Sequence, residues 1–176
     1  SVETIKCLSA LSETTVYGVT LTPDSTIGRK TKAIICAGGS EIAFAGTRSV
    51  TLSLAAFAFV AEALGIGSFE PITKNIQFKQ ENLQEFEKAV WTLFSKRSII
   101  ATGRSLFAPL AQLFALGCEE LSTKPVLCNE SGMFRHGPME VLDSDTALVI
   151  FRQIGELGEL SRSFNQIQKK TGCALV

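Results

Sequence analysis

The chain has 176 residues, 45% of them hydrophobic, which is long enough for one ordinary domain or parts of two and too apolar for a disordered polymer. Seventeen basic residues balance seventeen acidic ones without a basic block, so the electrostatic footprint of a nucleic-acid binder is missing. Five scattered cysteines, Cys7, Cys36, Cys118, Cys128 and Cys173, suit buried thiols in a reducing cytosol better than a disulfide framework, and without a CxxC or Cys/His cluster they call for no metal and no cofactor.

In chain order, Ser1-x-x-Thr4 precedes an apolar run that predicts a helix from about Thr4 to Leu11. The β-branched segments 15–21 and 33–36 predict buried strands. The most apolar stretch, 50–67, is interrupted by Thr51, Ser53 and Glu62 and falls short of the roughly 20 residues a bilayer requires. It predicts a core helix over 47–64 rather than a membrane span. Pro71 to Gln80 lacks periodicity and is the linker candidate. Leu83, Phe86, Val90 and Leu93 or Phe94 recur at helical spacing within 82–94.

A new unit follows. Ser98-Ile99-Ile100-Ala101-Thr102-Gly103 predicts a strand, Leu106, Leu110, Leu113 and Leu116 a helix, and 125–128 a second strand. Residues 147–151 predict a third strand, 156–170 a polar helix, and 173–176 one strand more. Strands alternating with helices indicate an α/β fold with a parallel sheet between helical layers. Phenylalanines 57, 59, 86, 94 and 107 fall on helical stripes and are expected in the core.

The run Cys128 to Pro138 holds the only histidine, His136, on a Gly- and Pro-punctuated turn. Proline lacks a backbone donor and biases the preceding Gly137 toward extended geometry, so the imidazole is expected at an element end, on the carboxyl side of the 125–128 strand. Ligands bind there in open parallel sheets. A catalytic histidine and a structural one both fit. Thr102 to Ser105 opens a helix after a strand and fits either an anion site or a plain turn, while Gly39, in the Gly-rich 37–40 segment, fits a tight turn. Glu119 and Glu120 near the end of the preceding helix fit a solvated helix end or, if partly buried, a base.

The segment Glu130-Ser131-Gly132-Met133-Phe134-Arg135-His136-Gly137-Pro138-Met139-Glu140 resembles a signature of the second domain in tandem sugar isomerase (SIS) proteins. These include fructosamine-phosphate deglycases and amino-sugar phosphate isomerases. Gly39 to Thr51 is similar to the segment closing the first SIS domain in the isomerase half of glucosamine-fructose-6-phosphate aminotransferases. Ser1 to Thr4 resembles the end of the phosphate loop.

The resemblance implies a three-layer αβα, flavodoxin-like SIS architecture, tandem and incomplete at both ends. Residues 1–74 would be the later part of a first domain and 75–176 the earlier part of a second. It further implies a sugar-phosphate isomerase, deglycase or amino-sugar phosphate deaminase acting on a phosphorylated amino sugar or ketosamine. Glu120, with Glu119 as the adjacent alternative, is the implied base moving a proton between C1 and C2. His136 is implied in ring opening, Ser1 and Thr4 in phosphate binding, and Phe44, Ala45 and Gly46 in substrate binding. Gly46 stands where aminotransferase-type members carry serine. A cytoplasmic homodimer with a shared active site is implied, since the family's histidine often reaches a neighbouring subunit. The alternative is a non-catalytic sugar-phosphate-binding regulatory protein.

Overall fold

The computed structural model of the protein describes residues 2–11, 13–36, 41–68, 83–152 and 159–176. The linker candidate at 71–80 and the Gly-rich 37–40 segment lie outside the described residues. The chain divides into two units, Ser1–Gln77 and Phe78–Val176.

In the first unit, helix α1 (Val2–Ala10) precedes strand β1 (Tyr17–Thr20), helix α2 (Thr26–Lys30), strand β2 (Lys32–Ile35) and helix α3 (Arg48–Ala63). The two strands pair in parallel, from Tyr17 opposite Lys32 to Thr20 opposite Ile35. Parallel pairing needs a crossover, and α2 is built into it. Ser25 caps α2 by accepting from the Gly28 amide at 3.0 Å, and its hydroxyl also meets that of Thr20 at 3.0 Å. Sequence reading passed over α2, although Asp24-Ser25 before Thr26 is an N-terminal signal.

The expectation of a core helix at 47–64 is corrected in this unit. Only Ala56 of α3 is buried, while Leu54, Phe57 and Phe59 are exposed. A 16-residue helix apolar around most of its circumference presents more surface than a two-stranded sheet can cover.

The second unit carries helix α4 (Leu83–Ser95), strand β3 (Ser98–Gly103), helix α5 (Ala108–Ser122), strand β4 (Val126–Glu130), the single turn α6 (Ser131–Phe134), strand β5 (Thr146–Phe151), helix α7 (Glu159–Thr171) and strand β6 (Ala174–Leu175). All four strands are parallel, in the order β4-β3-β5-β6. Because β3 is central, both its faces are covered, and alternate residues feed two cores. Ile99 and Ala101 pack with Val126, Ala147 and Val149 against Ala111 and Ala115 of α5. Ile100 and Leu148 pack with Phe134, Leu142, Phe164 of α7 and Cys173 on the opposite face. This is the expected three-layer α/β arrangement with a parallel sheet.

The end of α4 is held to the sheet by Lys124, whose ammonium donates to the carbonyls of Phe94 at 2.5 Å and Lys96 at 2.9 Å and lies 5.4 Å from the Phe94 ring centre. A cation at a helix C-terminus satisfies carbonyls that have no helical partner. Phe86 and Phe94 are nonetheless exposed, which corrects their assignment to the core: the stripe on α4 exists, and the second unit by itself leaves it uncovered. The buried-thiol expectation holds fully only for Cys173. Cys7 is exposed and the other three are half-buried.

Candidate functional site at the carboxyl edge of the second sheet

The chain leaves β3 and steps outward through α5 to β4, then returns across β3 to β5. In open α/β sheets ligands usually bind beyond the carboxyl ends of the strands at such a reversal. Gly103, Glu130 and Phe151 end the three strands there, in mutual register.

At Gly103 a side chain would collide with the backbone carbonyl of Phe107, so the first turn of the following 3-10 helix (Ser105–Phe107) can fold directly over the strand end only because glycine has no Cβ. Ser105 takes a left-handed φ of 53° in this turn. Thr102, the last buried side chain of β3, meets the Ser131 hydroxyl at 3.1 Å, with both residues buried. One strand further, the Asn129 amide nitrogen is buried and has no partner among the described residues.

Glu130 initiates α6. Its carboxylate accepts from the amides of Gly132 at 2.6 Å and Met133 at 3.3 Å, which suits a negative charge at a helix start. Phe134, fully buried, pins the far end of that turn into the second core. Arg135 then stacks over Phe164 at 5.3 Å, and His136 projects with its side chain exposed. Its amide donates to the Met133 carbonyl at 3.0 Å. Gly137 is not extended as the following proline suggested: its φ is 133° with ψ −52°. Glycine alone reaches that region without strain.

Glu120 lies elsewhere. It is exposed near the C-terminus of α5, and the neighbouring Glu119 accepts from the Val126 amide at 3.3 Å, at the first residue of β4. His136 follows the other end of β4. Four steps of about 3.3 Å separate the ends of that strand by about 13 Å, so the second unit does not bring Glu120 and His136 together. Burial, and next the charge of Glu119, push the thiols of Cys118 and Cys128 up, which keeps them protonated and poor nucleophiles.

Among the residues singled out in the first unit, Ser1 lies outside the described residues. Thr4 stands exposed in the first turn of α1. Phe44 is 89% exposed, whereas Ala45 is 4% exposed. Gly46 is exposed. The organising residue of this loop, which sequence reasoning missed, is Glu41. Its carboxylate accepts from the Thr47 amide at 2.9 Å, the Ser49 amide at 2.9 Å and the Ser49 hydroxyl at 3.0 Å. Those hydrogen bonds, the Ser49 amide first, hold its carboxyl at about 2. An acid six residues ahead of an N-cap Thr is outside the usual capping spacing, so the pattern gave no local signal.

Among the described residues no group of three or more His, Cys, Asp or Glu could hold a metal ion, and no helix is long and apolar enough to cross a membrane.

The SIS domain family model matches residues 92–176, which run from the middle of α4 through β6. This stretch of the second unit is what resembles a SIS domain. The chain is also 28% identical over 146 residues to glutamine–fructose-6-phosphate aminotransferase [isomerizing] of Lactiplantibacillus plantarum, covering 74% of this chain and 24% of that protein. With the Haemophilus influenzae protein of the same name it shares 27% over 170 residues, 89% of this chain and 27% of that one. It thus spans about a quarter of the length of these relatives.

Among solved structures, the C-terminal domain of glucosamine-fructose-6-phosphate aminotransferase from Francisella tularensis superimposes with a TM-score of 0.79 at 22% identity, over 99% of this chain and 54% of that one. Glucosamine-6-phosphate deaminase from Thermotoga maritima gives 0.78 at 18%, over 92% and 51%. At these identities the likeness establishes the SIS-type α/β fold.

Proposed function

We propose that the SIS domain serves a sugar-phosphate isomerase-type protein that acts on a phosphorylated amino sugar or ketosamine as a cytoplasmic homodimer. In this reading residues 1–74 complete a first SIS domain and 75–176 begin a second. The observation that carries it is the exposed His136 on a loop anchored by buried Phe134 at the carboxyl edge of the sheet, within the matched SIS domain.

Glu120 is the proposed base. Its carboxylate takes a proton from C1 of the open-chain ketose or ketosamine and returns it at C2, while the proton on the C1 oxygen or nitrogen is given up and one is gained at O2, leaving the aldose-side product. His136 delivers a proton to the ring oxygen as the sugar opens. Ser1 and Thr4 bind the phosphate, and Phe44, Ala45 and Gly46 line the sugar. Since Glu120 and His136 stand at opposite ends of β4, a site using both draws them from two copies, which supports the homodimer.

The test is turnover of hexose 6-phosphates, amino-sugar 6-phosphates and fructosamine phosphates by the full-length protein. Glu120→Gln is expected to reduce turnover at least about 100-fold while leaving binding intact. Binding without any wild-type turnover selects the regulatory sugar-phosphate-binding alternative. Neither binding nor turnover overturns both.

A further inference from the structure

Beside α7, the second unit carries a cleft of about 340 Å³ lined by Arg135, Met139, Ser163, Gln166, Ile167 and Lys170, a volume at the lower end of the range for small-molecule sites. Four of these residues, at spacings of three, one and three, fall on one face of α7. Arg135 and Met139 supply the opposite wall from the segment that follows β4. The chemistry of the lining is divided. Two cations and two uncharged hydrogen-bonding groups face the opening, with Met139 and Ile167 as an apolar patch.

We propose that this cleft binds a small phosphomonoester, with Arg135 and Lys170 on the phosphate and the Met139–Ile167 wall against its carbon skeleton.

The guanidinium of Arg135 is stacked on Phe164 at 5.3 Å, and that ring is itself 5% exposed in the second core. A guanidinium fixed by its face keeps its edge donors free, and their fork matches two phosphate oxygens. Lys170, in the last turn of α7, adds a mobile point charge. Among the described residues, neither cation forms an ion pair with a carboxylate. The ion pair described in the unit, Arg97 with Asp143 at 3.1 Å, involves neither of them. Two cations left without carboxylates beside a cavity favour an anion strongly over a neutral ligand. The Ser163 hydroxyl and the Gln166 amide can serve hydroxyl groups of the same ligand, and the Met139–Ile167 wall gives its carbon chain something a bare phosphate cannot use.

The inference goes beyond the catalytic proposal and does not depend on it, because its readout is occupancy of α7 rather than turnover. Hydrogen exchange of the full-length protein, followed by mass spectrometry at constant ionic strength, compares sodium chloride, inorganic phosphate and glucose 6-phosphate. Glucose 6-phosphate is expected to protect peptides covering 163–171 saturably and at lower concentration than phosphate. Lys170→Gln, at an exposed position of α7, is expected to raise the half-saturating concentration about tenfold, the loss of one charge-assisted contact. Arg135→Gln does so as well, with its melting temperature checked because the loop is packed. No protection of 163–171, wild-type affinity in Lys170→Gln, or equal protection by phosphate and glucose 6-phosphate overturns the assignment. Failure of turnover alone bears only on the catalytic proposal.

Discussion

The hydroxyls of Thr102 and Ser131 meet at 3.1 Å inside the second unit, joining the end of β3 to the first residue of α6. Both residues are buried, with exposures of 0% and 5%. The pair therefore holds the base of the segment that presents His136. Thr102→Val keeps the shape and removes the hydroxyl, which strands the Ser131 group and should cost about 1–3 kcal/mol. The double variant Thr102→Val/Ser131→Ala should cost less than the sum of the two single changes, since both partners are then gone. Urea unfolding midpoints measure this cycle. Strict additivity would show that the two hydroxyls do not interact.

Glu41 makes the start of α3 sensitive to acid. Its carboxyl is held at about 2 by the Ser49 and Thr47 amides, below the ordinary value near 4.3 of an unfolded chain. A depressed acid adds stability that is fully present above its unfolded value and is lost as pH falls through its folded value. The stability gap between wild type and Glu41→Gln should thus be constant above about pH 5 and close toward pH 2. Thermal melts across that interval test it. A gap unchanged down to pH 2 would mean that the charge of Glu41 contributes nothing to the cap.

The separation of Glu120 and His136 across β4 leads to a complementation experiment. If each site takes Glu120 from one copy and His136 from another, Glu120→Gln and His136→Asn homodimers are each inactive. Mixing and reassociation then places one intact site in every mixed dimer. Random pairing predicts recovery of about a quarter of wild-type turnover. Recovery of none, from proteins shown to exchange subunits, would place both residues of a site on one copy or remove one of them from the chemistry.

The strands of the second unit were legible because their signal is local and doubled. Residues 98–103 read as a strand and form β3 with the same limits, since an apolar run buried on both faces needs no information about its partner. The helix expected at 47–64 likewise forms from Arg48 to Ala63. What misled the sequence reading was the step from periodicity to burial. Phe57, Phe59, Phe86 and Phe94 lie on the helices expected of them and yet face outward, because a stripe records which residues share a face and not whether another element covers it. The site shows the same divide. His136 at the carboxyl side of the strand could be inferred from His-Gly-Pro, whereas the Glu41 cap and the Arg135–Phe164 stack join groups whose spacing follows no local rule.

Sequence by itself determined the α/β class, the order of strands and helices in the second unit's sheet, and the segment that carries His136, all of which rest on hydrophobic period and turn chemistry within a few residues. Tertiary structure decided the strand order β4-β3-β5-β6, and with it the point of reversal beside Gly103, the burial of the Thr102–Ser131 pair and the placing of Glu120 and His136 at opposite ends of β4. These depend on which strands pair across long stretches of chain. That choice is made by the total burial of two opposed cores rather than by any local preference.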